Sequence, residues 1–533
     1  MSKEQSIAVY LSHDASICVN PLPGVYRIYE LERLLEERYC RINNHPEFLN
    51  SLKKIHSLII EEYGDITFKK CYAAKAGRSL TDEEKYALTE SFGVTEFIEA
   101  GHHLSHAACA MYQSDFDKCL IASIDGGGWD EDITVSTFNV FIGDRTKNKI
   151  ERIARFSIDI GNAYSIMAVP ISEIRKGNFL SYAGKIMGLA AYGIIKNEWV
   201  PAMKHFYEIQ FYGNNPDGSE NLSQLSELGK SIGLDLSKPN CISGQDGFDL
   251  AATSQYVFEE ILLEKLMPLI SHYDLPVCLT GGCALNVLFN DRLKKILSQP
   301  VFVPPNPNDC GLSIGAFLLN EPQSFPVECT YGGFGVLDHK ESIQDLKAIY
   351  NSKTVTVREV AEIIKEGKII GVINGNSECG PRALGNRSII CDPSVSNMKD
   401  ILNAKVKFRE WYRPFAPIVR LQDVNKYFEF DGESRWMSFA PNTKPEWKNK
   451  LKSIIHEDGT SRVQTITRDQ NEFIYDLITE FESINDGVGV ILNTSFNIKG
   501  KPILTRLSDA LHVLDTTELD YVLFESELFA KKL

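Results

Sequence analysis

The stretch GHHLSHAACA (101–110) places three of the chain's 11 histidines within five positions. His102 and His106 are spaced i,i+4, which puts them on one face of a helix; His103 points about a quarter turn away. Neutral imidazole is a good ligand for borderline metals such as iron or zinc. The segment IDGGGWDE offers Asp125 at a strand end before three glycines, and NPNDCGLSIGA offers Asp309 before a small-residue helix. Two histidines with two carboxylates would make an open octahedral site suited to iron(II), with free positions for a phosphate or substrate oxygen. Spacing alone does not join residue 102 to residue 309. Other uses of these residues stay open: histidines as hydrogen-bonding groups at a helix start, Asp125 as a ligand of nucleotide-bound magnesium, Asp309 as a helix cap.

Asp125-Gly126-Gly127-Gly128 and Thr280-Gly281-Gly282 both follow apolar runs. Glycine lets backbone N–H groups come close to phosphate. Neither segment has the G-x-x-x-x-G-K-[ST] pattern, so a P-loop enzyme is excluded. A second concentration of chemistry lies at 378–413, where ECGPRALGNRSI supplies Arg382 and Arg387, and NAKVKFREWYRPFAP supplies Lys405, Lys407, Arg409 and Arg413. LNTSFNIKGKP adds Ser495, Asn497 and Lys501. Guanidinium forks bind phosphate and carboxylate in bidentate fashion. The cations are interleaved with Gly, Pro and aromatic residues, unlike a solvated basic face, and an anion pocket is expected.

Elements must position these groups. SIAVYL (6–11), KCLIASIDGGG (118–128) and VCLTGGCALN (277–286) read as buried strands, and 134–143 with 151–159 as a hairpin. Residues 252–269 carry apolar positions at helical spacing. A further strand–helix pattern begins at 354, and 487–497 is another strand with a polar end. Alternating strands and helices predict an α/β architecture with ligands at the carboxyl edges of the sheets. No internal repeat stands out. At 533 residues the chain is too long for one core, and the Pro- and Gly-rich segment 320–336 marks a boundary. The expected domains are 1–335 and 350–533.

Lysine plus arginine number 56 against 71 aspartates and glutamates, a net charge of -15. That argues against a general nucleic-acid or anionic-membrane surface while leaving room for local basic pockets. The 12 cysteines sit singly in apolar stretches with no C-x-x-C pair, as reduced thiols of a cytoplasmic protein would. No signal peptide and no membrane span are expected.

Taken in order, SHDAS (12–16), EERYCR (36–41), GHHLSHAACA, DGGG, GKIMGLAAYG (184–193), GGCALN (281–286), NDCGLSIGA, ECGPRALGNRS, FREWYRPFAP and LNTSFN resemble the O-carbamoyltransferase family over nearly the whole length. The resemblance implies an actin-like ATPase domain, threonylcarbamoyl transferase-like, followed by an α/β YrdC-like domain. It implies that the second domain forms carbamoyl adenylate from carbamoyl phosphate and ATP with Mg2+. The first would pass the carbamoyl group to a hydroxyl of a small-molecule or sugar acceptor. By motif, His102, His106, Asp125 and Asp309 become iron(II) ligands. Gly126, Gly127, Gly128, Gly281, Gly282 and Asn286 would hold nucleotide, with Lys405, Arg413, Ser495 and Asn497 as the phosphate and adenylate contacts of the second domain. Catalysis would fall to Asp125, Arg382 and Arg409, and to His13 as general base, whose other use is as a hydrogen-bonded strand-end residue. The chain departs from the pattern where Asn43 and Asn44 stand near an expected lysine, and where Asn376 stands for an arginine.

Three other readings compete. A hydrogenase-maturation carbamoyl carrier would carry an acylphosphatase segment and zinc-finger cysteine pairs, which this sequence lacks. A threonylcarbamoyl transferase acting on tRNA would want a basic face, against the net charge. A non-catalytic nucleotide sensor need not keep both sets of residues. The acceptor and the oligomeric state stay open.

Overall fold

The computed structural model describes residues 4–42, 45–75, 77–130, 135–174, 177–209, 221–338, 343–497 and 500–532. The chain forms two units. The first comprises residues 1–35 and 39–329, the second residues 36–38 and 330–533. The observed division falls ahead of the expected 335–350 junction. Residues 330–334 pair with 377–379, through Cys379 N–H to the Thr330 carbonyl (2.7 Å) and Ser377 N–H to the Phe334 carbonyl (2.7 Å), which ties them to the second unit.

The first unit holds two five-stranded sheets. One contains β1 (Glu4–Tyr10), β2 (Ser16–Leu22), β3 (Val25–Glu30), β4 (Thr67–Ala74) and β5 (Glu96–Ala100), ordered β3-β2-β1-β4-β5. The other contains β6 (Lys118–Trp129), β7 (Val135–Asp144), β8 (Lys149–Phe156), β9 (Val277–Thr280) and β10 (Val301–Phe302), ordered β8-β7-β6-β9-β10. In each, three strands meander antiparallel and the last two join in parallel. The duplicated topology is that of the actin-like fold. The repeat is invisible in the sequence because the two halves share strand order and periodicity, not residues. The helix expected at 252–269 runs from Gln245 to Tyr273.

Two helices occupy the space between the sheets. The histidine helix (His102–Gln113) packs on β6, β7 and β9, the Leu312–Asn320 helix packs on β1, β2 and β4, and the two pack on each other. Every residue of the histidine helix except Leu104 is buried. Small residues let the backbones approach: a Cβ on Gly315 would lie 1.9 Å from the Ser105 carbonyl oxygen.

The second unit is α/β, built on a mixed eight-stranded sheet. Its strands are β11 (Asn351–Thr354), β12 (Ile370–Ile373), β13 (Arg387–Cys391), β14 (Ala416–Arg420), β15 (Gln464–Ile466), β16 (Val490–Ser495), β17 (Tyr521–Phe524) and β18 (Glu527–Ala530). The order is β11-β18-β17-β12-β13-β16-β14-β15. The helices Val357–Lys365 and Glu472–Ile484 cover one face through Val360, Ile364, Leu477 and Phe481. No described helix is long and apolar enough to cross a membrane.

The close helix crossing yields the first prediction. Gly315→Ala should destabilise the chain by about 1–3 kcal/mol, the usual cost of forcing volume into a packed core. Gly184→Ala, where a Cβ meets nothing within 4 Å, should not lower the melting temperature. Equal melting of the two variants would contradict the packing described.

Candidate functional site

Four side chains from four elements converge in the first unit. His102 and His106 come from the start of the histidine helix, Asp125 from β6, and Asp309 from the 3-10 turn Asp309–Gly311 that leads into the Leu312–Asn320 helix. Their ligand atoms lie within 4.8 Å of one another. His106 Nε2 is 3.2 Å from Asp125 Oδ2 and 3.5 Å from Asp309 Oδ1, and His102 Nε2 is 3.8 Å from Asp309 Oδ1. The structure thus joins residues that spacing could not.

The supports around this group explain the local sequence. The histidine helix begins at Gly101, which has no capping side chain. Asp130 takes over from beyond β6: its Oδ1 accepts from His103 N–H (2.9 Å) and Leu104 N–H (3.4 Å). A Cβ on Gly101 would lie 2.8 Å from that oxygen. Gly126–Gly128, expected as a loop after the strand, instead continue β6 through a bulge between Ile124 and Gly128. A bulge re-aims a side chain, here Asp125. Gly128 is required by contact, since a Cβ there would lie 2.1 Å from the His102 ring. The N–H groups of Gly126 and Gly282 donate to Asp125 Oδ1 and Oδ2 at 2.6 and 2.7 Å. These two amides, expected to cradle phosphate, orient a carboxylate. Gly281 (φ +85°) lets the backbone pass the Ile124 carbonyl, which a Cβ would meet at 2.2 Å. Asn286, expected to contact nucleotide, instead caps the Val287–Ile296 helix by accepting from Phe289 N–H (3.0 Å) and pairs with Gln255.

The donor set fits a cation. His102 Nδ1 lies 3.2 Å from the Lys75 carbonyl, so it carries the proton and Nε2 presents its lone pair inward. His102 Nε2 and both ring nitrogens of His106 are buried without a hydrogen bond, which a buried polar atom tolerates only when another partner is intended. Burial works against charge on His106, but Asp125 and Asp309 overcome it and raise its pKa to about 9. Burial keeps His102 neutral. Two carboxylates and one imidazolium leave a net negative site that a divalent ion would neutralise. His103 stands apart, with its ring nitrogens 2.8 Å from Ser123 Oγ and 2.6 Å from the Ser136 carbonyl. Burial drives its pKa down to about 3.

Tyr10, at the end of β1, donates its hydroxyl proton to Asp309 Oδ2. Sequence reasoning missed it, as it missed Asp130; a tyrosine ending a strand is an ordinary core pattern. His13 lies three residues on, with Nδ1 3.5 Å from Asp14 Oδ2 and Nε2 3.7 Å from Asp309 Oδ2. Burial opposes its charge, yet the neighbouring Asp14 carboxylate and the field of Asp309 lift its pKa to about 9.

The second unit gathers cations. Lys407 is buried, and its Nζ donates to the Ser495 carbonyl (2.5 Å) and to Asn497 Oδ1. Burial lowers its pKa well below the usual range, helped by Arg409, Arg38 and Arg413. Arg409 donates to Asn403 Oδ1 (2.8 Å) and the Pro414 carbonyl (3.1 Å), and lies over the Phe415 ring. Arg413 sits 3.6 Å from Glu410 Oε2. Arg462, which sequence reasoning missed, lies in the field of Arg382, Arg409 and Arg413. Lys405 corrects an expectation. It is half exposed and paired with Glu518 Oε2 at 2.9 Å, because the π-helical turn Leu402–Val406 sends it outward and Lys407 inward. Arg387 is also not a ligand group: fully buried, it donates to the carbonyls of Asn374 (3.0 Å) and Gly375 (2.9 Å). The loop carrying Arg382 is held by Glu378, whose Oε1 accepts from the N–H groups of Leu384, Asn386 and Arg387. The Asn376 carbonyl accepts from Asn386 Nδ2 (2.8 Å). Asn43 and Asn44 lie outside the described residues.

Two predictions follow from this geometry. Tyr10→Phe leaves Asp309 Oδ2 without its donor and should weaken binding of added Co2+ or Fe2+ by about 10- to 100-fold, measured by titration. Unchanged affinity would remove Tyr10 from the site. Lys407→Ala should weaken binding of inorganic pyrophosphate to the full chain by about 10- to 100-fold, whereas Lys405→Ala should stay within about two-fold of the parent, as for a surface ion pair. The opposite ranking would restore Lys405 to the site.

Comparison with known proteins agrees with both units. The Carbamoyltransferase N-terminus family matches residues 26–318 and the Carbamoyltransferase C-terminus family matches residues 361–531. Nodulation protein NolNO of Sinorhizobium fredii is 34% identical over 455 residues, covering 81% of this chain but only 63% of its own length. Nodulation protein NolO of Bradyrhizobium diazoefficiens is 31% identical, covering 79% of this chain and 76% of its own. Nodulation protein U of Azorhizobium caulinodans is 26% identical, covering 94% of each. Among solved structures, full-length HypF in its phosphate- and nucleotide-bound form aligns with 61% of this chain and 48% of its own, at 15% identity and a TM-score of 0.37; the fold assignment rests on the chain's own topology instead. By the match of both family halves, in order and over most of its length, the chain belongs to the carbamoyltransferase family.

Proposed function

We propose that this protein is an ATP-dependent O-carbamoyltransferase acting on a hydroxyl of a small-molecule or sugar acceptor, working in the cytoplasm. The observation that carries this reading is the coexistence, in one chain of the family, of a buried His2Asp2 cluster in the first unit and a buried cationic cluster in the second. Lys407, Arg409, Arg413 and Arg462 suit the phosphates of magnesium-bound ATP and of carbamoyl phosphate. There, ATP, carbamoyl phosphate and water would give carbamoyl adenylate, pyrophosphate and phosphate. In the first unit the acceptor oxygen would attack the carbamoyl carbon, AMP would leave, and the acceptor proton would pass to His13.

His102, His106, Asp125 and Asp309 would hold a divalent cation, iron(II) on the donor set. When bound it would supply Lewis-acid polarisation of the carbonyl. The protein's own groups do the rest. The Lys75 carbonyl and Tyr10 hydroxyl orient His102 and Asp309. Asp14 orients the His13 ring, and neutralising the Asp309 charge would bring the His13 pKa down towards the range a general base needs. Separating activation from transfer protects a labile adenylate from hydrolysis.

The test separates the two half-reactions. His106→Ala should lower transfer of radiolabelled carbamoyl groups by more than about 100-fold while pyrophosphate release persists. Simultaneous loss of both, in a variant that melts like the parent, would refute the division of labour.

A further inference from the structure

The face of the histidine helix that carries His102 and His106 continues through Cys109 and Gln113, at i, i+4, i+7 and i+11. All four are buried. The His2Asp2 cluster uses the first half of this stripe. The second half meets Asn306, which is buried and stands three residues before Asp309 in the chain. Gln113 Nε2 donates to Asn306 Oδ1 (3.1 Å) and to the Cys109 carbonyl (3.1 Å). The Cys329 thiol donates to Gln113 Oε1 (2.8 Å), and Cys109 Sγ lies 3.5 Å from Asn306 Oδ1. Donors and acceptor of the Gln113 amide are all engaged, which fixes its orientation. Gly311 permits the contact: a Cβ there would lie 2.1 Å from the Asn306 carbonyl oxygen and 3.0 Å from Cys109 Sγ.

The chain between Asn306 and Asp309 has little slack. A residue before proline is pushed towards extended conformations, and Pro307 has a fixed φ. Asn308 is extended, at φ -79° and ψ -174°. The Pro307 carbonyl accepts from Gly281 N–H at 2.7 Å. Three extended residues span about 10–11 Å. From His106 to Gln113 the helix rises about 10.5 Å. The two lengths match, so a taut spacer held at Gln113 delivers Asp309 to His106, 3.5 Å from its Nε2. A slip at the amide pair would pass to the carboxylate with little loss.

Apolar side chains could fill the same volume but would tolerate sliding. A buried amide pair is directional, and buried polar groups of this kind set register where packing leaves it open. We infer that the Gln113–Asn306 amide pair is a positioning device for the cation site: it fixes how far along the histidine helix the Asp309 carboxylate stands. The inference rests on the reading of His102, His106, Asp125 and Asp309 as ligands of a divalent cation.

The test is titration of the full chain with added Co2+, read by affinity and by the visible ligand-field bands, which report ligand geometry. Melting without added metal is followed in parallel. The share of binding lost in His106→Ala identifies the site. Gln113→Met should lower that affinity about 10-fold and shift the bands. Met111→Ala, on the same helix but packed against Gly143, should lower the melting temperature and leave affinity and bands as in the parent. Combining Gln113→Met with Asn306→Leu leaves neither amide unpaired, so melting should recover towards the parent while affinity stays low. The double variant also decides the matter if Gln113→Met does not fold. Parent-like affinity and bands in Gln113→Met or in the double variant would overturn the inference. So would the same losses in Met111→Ala, which would make them a consequence of lower stability. If Co2+ binding by the parent is indifferent to His106→Ala, the cation reading fails and the inference falls with it.

Discussion

The first unit is organised around the repulsion of two carboxylates. Asp125 arrives from one sheet and Asp309 from the turn beside the other, within 4.8 Å of each other's neighbouring imidazoles and largely shielded from water. Unit charges of like sign at such a separation repel by about 3 kcal/mol at an effective dielectric of about 20. The amides of Gly126 and Gly282 and the Tyr10 hydroxyl offset part of that repulsion, and positive charge must offset the rest. In the protein alone the His106 imidazolium does so, and the site as a whole still carries excess negative charge. Much of the surrounding structure bears on this arrangement: the small-residue helix crossing, the Asp130 cap, the β6 bulge, and glycines at 101, 128 and 281 that remove Cβ atoms from the path.

The second unit presents the converse problem. Lys407 is buried among oxygen atoms of Ser495 and Asn497 with arginines around it. Here charge of one sign is concentrated in a chain whose net charge is -15. The overall acidity disfavours nonspecific polyanions, while the local cluster retains attraction for small anions. Each unit thus holds a preorganised charge imbalance of opposite sign, one suited to a cation and one to phosphates. Preorganisation of this kind costs folding stability and lowers the reorganisation needed when ligand arrives.

Two backbone features that look like defects serve these sites. The bulge in β6 and the π-helical turn at 402–406 each break a regular pattern. Each redirects one side chain: Asp125 and Lys407. Regular structure sets the spacing of the rest, and the irregularity sets the aim.

The sequence by itself determined the α/β class, the strands ending near Leu11, Gly128 and Thr280, the β7–β8 hairpin, and the i,i+4 histidine pair. Those depend on local periodicity and on glycine, which neighbouring residues encode. It also identified Asp125 and Asp309, although only family resemblance tied them to the histidines, because spacing carries no information across some 200 residues of intervening chain. Tertiary structure alone decided the rest. It turned the expected phosphate loop into a bulge whose amides hold Asp125, made Asn286 a cap, exchanged Lys405 for Lys407, and brought Tyr10, Asp130 and Arg462 to the sites. In each of these cases the deciding contact joins residues distant in sequence, or depends on a turn of helix whose pitch departs from the regular one, and neither leaves a mark in the order of amino acids.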